Sequence, residues 1–278
     1  MPEGGLLAIF AHPDDETFGV GGTMALYAAR GVPVTMVCAT RGEVGEIAAG
    51  TDATPDTLGA YREQELRDAC AILGVHDVRF LGWRDSGMVG TPENEDPRAF
   101  ASAHPDAVTH ALVRIIRETR PKVIATWDPS GGYGHPDHIA AWQHATSAFH
   151  AAADPAKFPT AGKPWKTPSL FYVALPMKEF ARIGEELAKR GLSMGEAPGG
   201  DDNIQQLEHL DPNCFIDVSA HYDQKMEALR SHRTQISDED IFMRMPDDLR
   251  RSFFNREYFY RADPLLPEGA KIDDLFAN

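Results

Sequence analysis

Short apolar runs alternate with amphipathic helical periods through the first half of the chain, and this rhythm most constrains what it can fold into. Leu6–Ala11 is an apolar run, Val34–Cys38 is rich in β-branched residues, and Val78–Leu81 and Val123–Thr126 are two further short candidates for strands. Between them, Thr57–Leu73 sets Leu58, Tyr61, Leu66, Ala69 and Leu73 on one helical stripe. Pro105 opens a helix in which Val108, Ala111, Leu112, Ile115 and Ile116 recur at helical spacing, and Pro136 opens another. Gly22–Arg30 reads as a helix stopped by Gly31. Strands alternating with helices of this length predict an α/β fold, with a Rossmann-like, mostly parallel sheet and helices on both faces.

After Phe149 the rhythm breaks. Stretches 151–168 and 191–213 are rich in Ala, Pro and Lys and in Gly, Asp and Asn respectively, and read as loops. A strand at Leu170–Leu175, a helix at Met177–Arg190, a strand at Cys214–Val218 and a helix at His221–Ser231 are expected between and beyond them. The division expected is a Rossmann-like core over 1–150 that carries the site. A smaller α+β portion over 151–278 completes the sheet and pocket, the whole forming one compact domain.

Composition excludes several classes of partner. With 42% hydrophobic residues a sizeable core can form, while a net charge of −15 argues against a nucleic-acid groove or an anionic membrane surface. No segment approaches the length of a membrane span. Cys38, Cys70 and Cys214 form no CxxC pair and read as free thiols, which fits a cytoplasmic location. A small-molecule substrate is expected, and a homo-oligomer stays open.

Ligands of open parallel sheets bind beyond the carboxyl ends of the strands. His12-Pro13-Asp14-Asp15-Glu16 follows the first strand, and His135-Pro136-Asp137-His138 follows the fourth after Gly131-Gly132-Tyr133-Gly134. Both clusters therefore fall at one sheet edge and offer the nitrogen and oxygen ligands that Zn²⁺ accepts. Pro136 at the first helical position sets His135 at the cap and His138 in the first turn. Taken singly, each cluster is a common helix start, with its acids complementing the dipole. Their coincidence at two strand ends is what points to a metal.

These motifs resemble those of the LmbE-like, or PIG-L, family of zinc-dependent N-deacetylases. The resemblance continues through Thr40-Arg41-Gly42-Glu43, Ala60-Tyr61-Arg62, Trp83–Met88 and, later, His232 and Thr234-Gln235. Arg84–Met88 and Gly131–His138 look most like the mycothiol-pathway branch, which includes a deacetylase of N-acetylglucosaminyl-inositol and an amidase of mycothiol S-conjugates. The resemblance implies hydrolysis of an N-acyl group, foremost N-acetyl, on a small amino-sugar metabolite containing N-acetylglucosamine. One Zn²⁺ per chain, with Fe²⁺ or another divalent ion as substitute, would be held by His12, Asp15 and His138. Asp14 would be general base to a metal-activated water, His135 would stabilise the oxyanion in protonated form, oriented by Asp137, and Tyr133 would add a hydroxyl. Arg41, Glu43, Arg62 and Asp85 would line the substrate pocket. Gly19 stands where that branch carries serine or lysine, which removes an expected substrate contact.

Cleavage of a bulkier thiol S-conjugate is the alternative within the same chemistry. A non-catalytic sugar- or nucleotide-binding module is the alternative outside it, although Gly19, Gly21 and Gly22 do not spell a G-x-G-x-x-G turn. A two-metal phosphoesterase would need more bridging carboxylates. Trp83 and Trp127 read as packing residues or walls of a sugar site, His144 and His150 as surface or packing residues, and His232 as a core or supporting histidine.

Overall fold

The computed structural model describes residues 4–193 and 207–277. Seven strands form one sheet in the order β3-β2-β1-β4-β5-β7-β6. They are β1 (Leu6–Phe10), β2 (Val34–Cys38), β3 (Asp77–Phe80), β4 (Val123–Trp127), β5 (Ser169–Val173), β6 (Cys214–Asp217) and β7 (Arg256–Asp263). The first five pair in parallel, and β7 joins β5 and β6 antiparallel. Every residue of β1, β2, β4 and β5 is buried, because helices cover both faces and leave no solvent side to favour alternation. The fold is α/β, as the alternation predicted.

The helices are α1 (Asp15–Ala29), α2 (Leu58–Ile72), α3 (Pro105–Thr119), the single turn α4 (Gly131–Gly134), α5 (Pro136–Ala153), α6 (Met177–Lys189), α7 (Tyr222–Ser231), the short α8 (Ile241–Arg244) and α9 (Asp247–Phe254). Two features depart from expectation. The helix expected from Gly22 begins at Asp15 instead. A Cβ on Gly22 would lie 2.6 Å from that of Val218, so this glycine serves close packing rather than a turn. Strand β7 was not anticipated, because its charged ends and half-buried alternation hide among flanking polar residues.

Arg117 explains how part of the irregular stretch is ordered. Its buried guanidinium donates to the carbonyls of Ala151, Ala152, Asp154, Lys157, Phe158 and Gly162, tying this loop to α3. The expected loop over 191–213 lies partly outside the described residues.

The chain runs from β1 to β2 to β3 on one side, then returns to place β4 on the other side of β1. Such a reversal opens a crevice at the strand ends. Leu6, Leu7 and Ala8 pair with Val123, Ile124 and Ala125, which brings the two histidine clusters that follow these strands side by side.

Candidate metal centre

The turn from β1 into α1 is held by its own acids. Asp15 Oδ2 accepts the backbone N–H groups of Ala11 (3.1 Å) and His12 (2.9 Å), and also Trp127 Nε1–H (3.2 Å). Asp14 sits at φ 105°, a left-handed conformation that costs a non-glycine residue about 1–3 kcal/mol and persists only when its surroundings impose it. Glu16 Oε2 accepts the Asp14 N–H at 2.9 Å.

The second cluster arrives through glycines. Gly131 adopts φ 63°, and a Cβ there would meet Ile139 Cγ1 at 2.9 Å, so only glycine fits. Its carbonyl receives His138 Nδ1–H at 3.1 Å, which leaves His138 Nε2 bare and inward. Asp128 Oδ1 steadies the same turn by accepting from Ser130 Oγ and Gly132 N. Trp127 stacks on the His138 ring at 4.4 Å, so it underlies the centre and does not wall a sugar site.

His12 is oriented in the same way from its other side. Its Nε2–H donates to Asp137 Oδ2 at 3.1 Å, with Asp85 Oδ1 at 3.5 Å, which leaves Nδ1 bare. Three acceptors then converge: His12 Nδ1 is 3.2 Å from His138 Nε2, which is 3.2 Å from Asp15 Oδ1. Lone pairs at such distances repel unless a proton or cation lies among them. A tetrahedron built on bonds of about 2.0–2.1 Å has edges of about 3.3–3.4 Å, so the set fits a small divalent ion. Ligand atoms of His12, His135 and His138 also lie within 4.8 Å of one another, as do those of His12, Asp85 and Asp137.

Charge follows this geometry. Burial alone would lower the His12 pKa, but Asp85, Asp137 and Asp15 outweigh it and hold the value well above the ordinary one. Burial would raise Asp15, yet His138 and His12 keep it well below the usual range. Burial pushes Asp14 up to about 6 against the opposing charge of Arg62. Burial raises the Tyr133 phenol, whose ring lies 5.0 Å from that of His138.

Two expectations about His135 are corrected. Its Nδ1 accepts the backbone N–H of Asp137 at 3.1 Å, whereas the Asp137 carboxylate turns to Ser86 and His12 and does not orient it. Burial, with the neighbouring His12 and His138, lowers its pKa to about 2, which runs against the expected imidazolium and favours the neutral ring.

The residues expected to line a pocket separate. Arg62 is only 4% exposed and donates to Pro13 O (2.7 Å), Gly42 O (2.9 Å) and Asp14 Oδ2 (3.3 Å), which sets it behind Asp14. Asp85 is buried, accepting from Gly87 N–H beside His12. Glu43 accepts the N–H groups of Arg41 and Asp85, bridging two loops, and the Arg41 side chain is exposed. Gly19 is buried, and a Cβ there would lie 3.5 Å from Val173 Cγ2 and 3.6 Å from Phe10 Cε1. His144 is buried, burial lowers its pKa, and its ring lies 5.7 Å from that of Phe100 at an angle of 54°. Sequence reading passed over Ser86 and the supporting role of Glu16. The N–H and hydroxyl of Ser86 both hold Asp137, and no spacing signal marks that contact across 51 residues.

Residues 7–149 match the family model described as PIG-L, GlcNAc-PI de-N-acetylase. The chain belongs to the PIG-L family. It is 41% identical to the 1D-myo-inositol 2-acetamido-2-deoxy-alpha-D-glucopyranoside deacetylase of Geodermatophilus obscurus, across 100% of this chain and 98% of that protein. The N,N'-diacetylchitobiose deacetylase of Pyrococcus horikoshii superposes with a TM-score of 0.65 at 22% identity, covering 92% of this chain and 82% of that one. GalB, the 4-carboxy-2-hydroxymuconate hydratase of Pseudomonas putida KT2440, superposes at 0.61 with 18% identity, covering 96% and 99%. These two likenesses establish the PIG-L fold alone, since it also carries a hydratase; it is the family membership that makes this chain a deacetylase, an amide hydrolase and no mere binding module. Among the described residues no helix is long and apolar enough to cross a membrane.

Proposed function

We propose that this protein removes the acetyl group from the amide nitrogen of an N-acetylglucosaminyl-inositol, with one zinc ion held by His12, Asp15 and His138. The observation that carries the reading is the convergence of three bare acceptor atoms at 3.2 Å contacts beside Asp14. Asp15 is preferred to His135 as third ligand because His135 Nδ1 accepts the Asp137 N–H, so the neutral ring carries its proton on Nε2 and has no lone pair there for a metal. His12 and His138, in contrast, each donate from the committed nitrogen and keep the other bare.

Held by His12, Asp15 and His138, a zinc ion would supply the Lewis acidity that activates water and polarises the acetyl carbonyl. Asp14, with a pKa near the working range, accepts a proton from the attacking water. His135, neutral and with Nδ1 already accepting, carries its proton on Nε2 and donates it as a hydrogen bond to the developing oxyanion. A neutral imidazole is a poor acid, so Asp14 returns its proton to the departing nitrogen. Asp85 and Asp137 fix His12, and Arg62 fixes Asp14 from behind. Arg41 and Glu43 are proposed to meet the sugar and Tyr133 to add its hydroxyl near the acetyl carbonyl, with residues 151–278 completing the pocket of a single domain. Three buried free thiols support a reducing, cytoplasmic setting.

The test is amine release from N-acetylglucosaminyl-inositol, free N-acetylglucosamine and a mycothiol-type S-conjugate. Each is assayed with zinc-loaded protein, chelated protein and Asp14→Ala. Zinc-dependent release from the inositol conjugate that collapses in Asp14→Ala is expected. Release from the S-conjugate alone would replace the substrate, and zinc-independent release would overturn the centre.

A further inference from the structure

We propose that Glu16 and His232 are positioning residues, a buried pair that holds the strained backbone of Asp14 and so aims its carboxylate. The inference rests on Asp14 serving as the base, as proposed above.

Glu16, Thr17 and His232 are all fully buried. Glu16 uses both carboxylate oxygens: Oε2 accepts the N–H of Asp14 at 2.9 Å, and Oε1 meets His232 Nε2 at 2.8 Å and the Thr17 hydroxyl. Neither Glu16 nor His232 belongs to the converging set of acceptors. Their connection to the chemistry runs through the peptide of Asp14, which at φ 105° needs something to hold it.

A second route reaches the same residue from the same turn. Two residues beyond His232, the N–H and hydroxyl of Thr234 donate to Glu65 at 2.9 and 2.6 Å. Glu65 lies one helical turn from Arg62 on α2, and Arg62 holds Pro13 O and Asp14 Oδ2. The segment after α7 therefore meets Glu16, which holds the Asp14 N–H, and also anchors α2, the helix that carries Arg62. A residue more than two hundred positions away in sequence thus bears on the angle of the base, where a misplacement of about 1 Å can cost about 100-fold in rate.

The experiment is a double-mutant cycle between Glu16→Ala and Asp14→Ala, read as kcat, KM and bound zinc on the metal-loaded protein with N-acetylglucosaminyl-inositol. Glu16→Ala is expected to lower kcat by about 10- to 100-fold, leaving KM and zinc content unchanged. Glu16→Gln, whose amide oxygen can still accept the Asp14 N–H, is expected to recover most of that loss. In the Asp14→Ala background, Glu16→Ala is expected to have no further effect, because the carboxylate it aims is gone.

Equal losses in both backgrounds, or loss of zinc in step with activity, would overturn the inference while leaving Asp14 as base. If Asp14→Ala itself leaves kcat intact, both the inference and the proposed mechanism fail. Should Glu16→Ala not fold, His232→Gln and His232→Leu carry the test. The glutamine still donates to Glu16 and is expected to retain kcat, whereas the leucine is expected to lose it at constant KM; equal kcat in the two overturns the inference.

Discussion

His12 Nδ1 and His138 Nε2 face each other at 3.2 Å, each ring having committed its other nitrogen, one to Asp137 and one to Gly131. Two such lone pairs share either a proton or a metal ion. Without metal a proton is expected to enter the gap, since Asp85, Asp137 and Asp15 hold the pKa of His12 above its ordinary value. Zinc binding at pH 7 is therefore expected to release about one proton. Calorimetry in buffers of differing ionisation enthalpy measures it directly, and zinc affinity should weaken as pH falls. Chelation should abolish amine release and added zinc restore it.

Gly131→Ala tests how the second cluster is delivered. The new methyl group would lie 2.9 Å from Ile139 Cγ1 and 3.0 Å from the Ile139 backbone nitrogen, at φ 63°. A loss of about 1–3 kcal/mol of stability is expected in urea unfolding. Because the carbonyl that fixes the His138 tautomer moves with this residue, zinc affinity should also fall, by about 10- to 100-fold. Stability lost with zinc affinity unchanged would show that the carbonyl is not what orients His138.

These relationships differ in how far the sequence exposed them. Strands β1, β2 and β4 were legible because burial on both faces makes them continuous apolar runs, and with them came the placement of His12 and His138 at one edge. The start of α1 was not, since Gly19, Gly21 and Gly22 resemble a turn until Val218 is seen packed against Gly22. Arg62 matched a pocket motif, yet only the folded chain shows its donors spent on Pro13, Gly42 and Asp14. The family resemblance pairs Asp137 with its neighbour His135, while its carboxylate contacts reach Ser86 and His12. Long-range pairing leaves no periodic trace in a single chain.

Asp14, as the base proposed above, is expected to set the acid limb of the rate profile. As a base it works deprotonated, so kcat/KM is expected to fall as pH drops through its pKa, about 6 in the metal-free protein. A bound cation stabilises the carboxylate and moves the limb lower. Arg62 also favours the ionised form, so Arg62→Gln should move the limb to higher pH. A pH–rate series on the two proteins decides it; an unmoved limb in the variant would remove Arg62 from the electrostatics of the base.

Behind α1 lies a buried ion pair whose loss should be costly. Lys225 Nζ and Glu257 Oε1 are 2.6 Å apart, and Glu257 also accepts the N–H groups of Gly22 (2.8 Å) and Thr23 (2.7 Å) in the middle of that helix. A carboxylate inserted against a helix backbone holds it at that point, here against strand β7. Lys225→Met leaves this carboxylate buried with no cation, and a destabilisation of about 3–5 kcal/mol is expected in urea unfolding. Adding Glu257→Gln removes the stranded charge while an amide oxygen remains to accept, so the double variant should be more stable than Lys225→Met alone. If the double variant is the less stable of the two, the carboxylate acts through its hydrogen bonds to α1 and not through its charge.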